Sequence, residues 1–232
     1  MTRIATILAS TGMALAAATA ALPAQAQVSG NIASADVPGA VIGSTAFQNA
    51  YKQVETSYAQ QIELIRTRAQ ERQTLLAKYD KNADKQVDDS ELQALQKSPD
   101  AAKLQSLESE IQSLTNQIDS GRVYAIEQIL VQAGPALQDV VKAKQIKVVL
   151  EPNSMLYAPP EIDVTKDIVA ALNTKVPSVQ IVPPAGWQPS QEGVQIFQQI
   201  NQRLQLAQLI QQRQAAQGQQ QPQGNQAAPA GR

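Results

Sequence analysis

"IKVVLEPNSMLYAPPEIDVTKDIVAAL", Ile146 to Leu172, is the stretch on which the fold turns. Ile146 to Leu150 reads as a buried strand, "EPNS" as a turn, and Met155 to Ala158 as a second strand closing a hairpin. Pro159 and Pro160 end it, and Asp163 or Thr165 caps a helix carrying Ile168, Val169 and Leu172. A hairpin and one helix bury too little to stand alone. The missing strand lies at the other end of the chain, in "NIASADVPGAVIGS", where Ile32 to Val37 is β-tolerant and Pro38 and Gly39 mark a turn. The expected fold class is therefore α+β: a small β head made by residues 27–45 and 144–176, with everything between them an excursion.

That excursion, residues 46–143, is helical. Phe47, Tyr51, Val54, Tyr58, Ile62, Ile65, Ala69, Leu76 and Tyr79 recur at spacings of three, four or seven among Gln, Glu, Arg, Lys and Thr, with Ser44 or Thr45 placed to cap the start. A second stripe runs through Leu92, Leu95, Leu104, Leu107, Ile111, Leu114 and Ile118. Pro99 should restart or kink that helix, Gly121 should loosen its seam, and Gly134-Pro135 should disturb it before it ends near Ala143. Two narrow stripes joined by a short loop predict an antiparallel coiled-coil helical hairpin. An arm of about 35 residues reaches about 50 Å.

The loop between the stripes, "DKNADKQVDDSE" from Asp80 to Glu91, has calcium-loop spacing. Oxygen donors fall at positions 1, 3, 5, 9 and 12 as Asp80, Asn82, Asp84, Asp88 and Glu91, Gln86 offers the carbonyl at 7, and Val87 is the aliphatic residue at 8. Lys85 stands where Gly makes the sharp turn. Asp, Asn and Ser are also ordinary turn and cap residues, and Asp88 or Ser90 can cap the returning helix. Both readings remain open at this point.

Composition narrows the functions. The chain has no Cys and no His, which removes disulfides, zinc-type sites and His-based catalysis; no nucleophile motif or P-loop occurs, so neither an enzyme nor an ATP-driven machine is expected. With 19 basic and 20 acidic residues, nothing draws it to nucleic acid. Arg3, the apolar run from Ile4 to Ala21 and the small-x-small site at Ala24-Gln25-Ala26 predict a signal peptide over residues 1–26, cleaved near Ala26. Beyond the head, residues 177–214 read as a Pro-rich linker with an extra helix carrying Val194, Phe197, Ile200, Leu204 and Ala207, and residues 215–232 as a disordered Gln-rich tail.

A signal peptide, a short strand, a long charged hairpin and then "VVLEPNSMLYA" followed by "DVTKDIVAAL" together resemble the Skp/OmpH family of periplasmic chaperones; Asp163, Val164 and Thr165 match the family's start of the last helix. The resemblance implies a homotrimer whose arms surround a cavity and hold unfolded outer-membrane proteins in transit through the periplasm, without ATP. Any membrane contact would be peripheral, not integral. Two alternatives stand beside it: a periplasmic calcium-binding protein with a single EF-hand, and a structural envelope coiled-coil protein whose C-terminal helix docks elsewhere.

Overall fold

The computed structural model describes residues 31–82, 84, 86 and 88–218. The expected leader at 1–26, residues 219–232 of the expected tail, and Lys85 and Val87 of the loop lie outside the described residues; residues 215–218, expected in that disordered tail, instead continue the last helix.

Strand β1 (Asn31–Ser34) pairs in parallel with β2 (Ile146–Leu150), Ile32 opposite Val148 and Ser34 opposite Leu150. The first strand does join the second, across more than a hundred residues. The third strand is not formed. Met155 to Ala158 has no regular structure between two 3-10 turns, Pro152–Ser154 and Pro160–Ile162, and Ser34 instead makes an isolated parallel bridge to Asp163. Pro152 and Pro160 open those two turns and Pro159 precedes the second, so the extended run left between them is too short to close a hairpin.

The turn expected at Pro38 is a helix, α1 (Val37–Gly43). Asp36 caps it by accepting from the Gly39 amide at 3.1 Å, with Pro38 in the first turn, where its missing N–H costs nothing. Ser44 then caps α2 (Thr45–Ser57) through the Phe47 amide at 3.2 Å. The long first helix bends at Tyr58 before continuing as α3 (Ala59–Ala77). Thr56 Oγ1 donates back to the carbonyls of Lys52 and Gln53 at 3.2 and 3.0 Å, a bond that tilts helices, while the ladder itself persists through Tyr58.

After the loop come α4 (Asp89–Gln96) and α5 (Asp100–Ala143), with Pro99 between them as the sequence implies. The disturbance expected at Gly134-Pro135 does not occur: α5 runs unbroken for 44 residues, about 66 Å. Gly134 has no Cβ to clash with the proline ring, and both residues sit on the exposed face, where water can serve the carbonyl left without a donor. The described residues end with α6 (Thr165–Lys175), a strap of residues 177–190, and α7 (Gln191–Gly218).

The head is mostly helical, not a β body. Its core joins Val41 of α1, Phe47 of α2, Ile126, Ile129 and Ala136 of α5, Ile146 of β2, Ile168 and Leu172 of α6, and Phe197 and Ile200 of α7. The two chain ends are also stitched by hydrogen bonds: the Val164 amide to the Ser34 carbonyl, the Asp36 amide to Thr165 Oγ1, and the Thr45 amide to Asn173 Oδ1. A strand pair this small is held by the helices around it.

Candidate functional site: the helical arm and its tip

From Tyr58 outward, α3 and the first half of α5 run antiparallel. Arg68 Nε meets Glu110 Oε2 at 2.8 Å, and near the tip Lys78 Nζ and the Tyr79 hydroxyl both reach Asp100 Oδ2, at 3.4 and 3.2 Å. The guanidinium of Arg68 also contacts Glu71 at 2.9 Å, and the Glu110 hydrogen bond, foremost, pushes its pKa up. These pairs fix register between helices that share little apolar surface.

The seam is thin. Between Tyr58 and the tip, Ile62, Leu64, Ile65, Ala69, Leu104, Ile111 and Leu114 are only half-buried. Full burial returns at Leu75, Leu95 and Leu107; Leu75, not the expected Leu76, turns inward. Two helices side by side cannot enclose a stripe, so each seam residue keeps an open flank.

At the tip, the candidate loop residues are organised around Glu91. It is 3% exposed, and its carboxylate accepts from the Lys81 amide at 2.7 Å and the Asp88 amide at 3.2 Å. Asp88 reciprocates: its Oδ1 takes the Glu91 and Ser90 amides at 2.9 and 2.8 Å, a capping box at the start of α4. The Glu91 amide, foremost, then the Ser90 hydroxyl and amide and Lys81, hold the Asp88 carboxyl below the usual carboxylate range. Asn82 Oδ1 accepts from the Asp84 amide at 3.0 Å, and Asp84 Oδ1 from the Gln86 amide at 2.7 Å. Asp80 follows α3, half-buried. Among the described residues no group of three acidic side chains converges as a metal cage would.

The sequence reading passed over a second cluster, where α5 enters the head. Glu127 Oε2 accepts from Trp187 Nε1 at 3.1 Å and its Oε1 from the Ser190 amide at 2.6 Å; Trp187 sits edge-on to Tyr124, centroids 5.3 Å apart. Nearby, Arg122 lies 5.6 Å over the Tyr51 ring, and burial, chiefly, pushes the Tyr51 phenol up to about 12. Glu127 reads in sequence as one more solvated helix charge. Only the Trp187 far along the chain hinted at its use.

The described helices include none long and apolar enough to cross a membrane. Among curated proteins none matches the chain. A crystal structure of an OmpH-like candidate outer membrane chaperone from Caulobacter crescentus CB15 aligns over 75% of this chain and 94% of that one, at 18% identity and a TM-score of 0.37, too distant for its shape to support an argument. The family model for OmpH-like outer membrane proteins matches residues 31–172, the head and the whole arm together, and the chain therefore belongs to the OmpH-like family.

Proposed function

We propose that the protein is an ATP-independent holdase that keeps unfolded outer-membrane proteins soluble in the periplasm, working as a homotrimer. The observation that carries this reading is the arm: a stripe of half-buried Ile and Leu along α3 and α5, flanked by polar residues, that offers many weak contacts. An unfolded chain is held by such a surface through number, not through any one residue. Family membership points the same way.

The trimer accounts for apolar surface that the head leaves open. Ile32 and Val148, opposite one another on the strand pair, are 47% and 36% exposed, and Leu156 and Tyr157 project from the segment that failed to become a strand. Burial against other copies would cover them. The test is the solution mass, by light scattering on a sizing column, of residues 27–232 mixed with a urea-unfolded outer-membrane barrel diluted out of denaturant. Three copies with one soluble client are expected. A monomer or dimer that lets the barrel precipitate overturns the proposal.

Calcium is a second, separable proposal for the tip. What favours it is the loop's own pattern: Asn82 and Asp84 each turn the backbone two residues on, and Glu91 at the closing position is buried and aimed inward. Because the Glu91 carboxylate is committed to the Lys81 and Asp88 amides, an ion must compete with the cap, and binding should be weak, about 10⁻⁴ to 10⁻³ M. Calorimetric titration checks it. Binding that Glu91→Gln removes supports a calcium loop; no heat at millimolar calcium leaves the loop a capped corner.

A further inference from the structure

We propose that the strap, residues 177–190, is a brace that locks the arm at a hinge where it leaves the head. The family match ends at Leu172, so this segment is an addition to the family's part of the chain.

The arm has two soft points, and they lie level with each other. On one helix the backbone bends at Tyr58, after Thr56 has turned its hydroxyl onto the preceding carbonyls. On the other, Gly121 sits in the unbroken interior of α5 as a weak helix former, and the Tyr58 hydroxyl lies 3.4 Å from where its Cβ would be. A glycine at a seam position led us to expect loosened packing there. Instead the Ile181 carbonyl of the strap occupies the space, 2.7 Å from that Cβ position, so α5 accepts the strap's backbone only because residue 121 has no side chain.

The strap then engages both helices at this level. Ile181 is 3% exposed and packs in a small cluster with Ala50, Val54 and Tyr58 of the bent helix and Ile118 and Ala125 of α5. One turn further on, the Gln128 side chain behaves as a strand would, donating to the Gln180 carbonyl at 2.8 Å and accepting from its amide at 3.0 Å. Glu127 fixes the far end through Trp187 and the Ser190 amide, and Ser190 Oγ in turn receives the Gly193 amide at 3.0 Å as α7 begins. Both ends of the strap are rooted in the head, at buried Val176 and at Phe197 and Ile200 of α7.

A swing of the arm about Tyr58 and Gly121 must therefore pull Ile118, Ile62 and Ile65 away from the cluster around Ile181, while Gln128 and Glu127 hold the strap on the head side of the hinge. Releasing the strap frees the hinge, and the arm's angle, with the space the arms enclose, becomes adjustable from the C-terminal extension. This is a property of the arm's mechanics and stands apart from what the arm holds.

Hydrogen exchange on the full chain tests it, comparing wild type with Gly121→Ala, which drives the Ile181 carbonyl away, and with the milder Gln128→Ala, which leaves the apolar cores untouched. In at least the milder variant, amides of residues 54–62 and of the strap should exchange about tenfold faster while those of α6 keep their wild-type rates. Since the chain has no cysteine, Gln105→Cys and Lys147→Cys can carry spin labels on one protomer diluted among unlabelled copies, and the distance distribution should broaden in the same variant. A strap that exchanges faster over an unchanged hinge and an unchanged distance distribution overturns the proposal. So does acceleration of α6 to the same extent, which would make the strap part of the head's global unit.

Discussion

The two halves of α5 share one helix and live in different surroundings. From Val123 to Val140 it threads the head, with Ile126 and Ile129 fully enclosed; from Asp100 to about Leu114 it packs mainly on α3, with α4 beside it at the tip, and most of its apolar residues keep an open flank. The difference is one of layers. A helix packed on several sides loses its whole stripe to the core, whereas a helix in a pair can hide only the middle of it. The head is thereby fitted to hold its shape and the arm to offer surface.

Truncation tests that contrast most strongly. Ile129→Ala should cost about 2 to 5 kcal/mol in urea unfolding, and Ile111→Ala, half-buried in the arm, well under half of that. Equal losses would mean that the arm is as well packed as the head and has no surface to spare. At the tip, removing the buried carboxylate by Glu91→Ala leaves the Lys81 and Asp88 amides without their acceptor and should destabilise the tip locally by about 1.5 to 3 kcal/mol, read as faster exchange in α4 with the head unchanged.

An alkaline titration sharpens the head's side. The Tyr51 phenol is raised from 10.0 to about 12 mainly by burial, so the folded state holds this proton more tightly than the unfolded chain. Its contribution is complete below pH 10 and is lost as pH rises towards about 12. Tyr51→Phe should flatten that part of the stability profile. It should cost little at neutral pH, because the buried hydroxyl has no hydrogen-bond partner within the described residues. The smallest effect is expected on the arm, where Arg68→Ala removes a partly exposed pair with Glu110 and should barely move the urea midpoint, less still in high salt.

The contrast between the regions also explains what could be read from the sequence. The arm's helices, their antiparallel return and the capping role of Asp88 are local, set by spacing and by one residue's reach, and they were legible. The pairing of β1 with β2 followed from each strand's need for a partner. The head's other details were not local. Met155 to Ala158 has strand-like residues but lies between two proline-led turns that leave it too short to close a hairpin, and Pro38 reads as a turn until Asp36 is recognised as a helix cap. Gly134-Pro135 reads as a disturbance because the relief that a glycine gives a following proline is invisible in a periodicity count. Gly121 was misjudged for a related reason: what fills its place comes from sixty residues away.

The loop candidates divide in the same way. Glu91 and Asp88 are brought together, as local capping requires; Asn82 and Asp84 turn the loop backbone in the way their spacing implies. The Glu127 cluster had no spacing signal at all.

The proposed holding function assigns client contact to the arm and not to the head. Hydrogen exchange of the full chain, with and without an unfolded outer-membrane barrel kept soluble by it, tests this directly. New protection is expected only in α3 and in residues 104–118 of α5, spread over many amides, with α1, α6 and the strand pair unchanged. Protection centred on the head, or none anywhere while the barrel stays in solution, would contradict it.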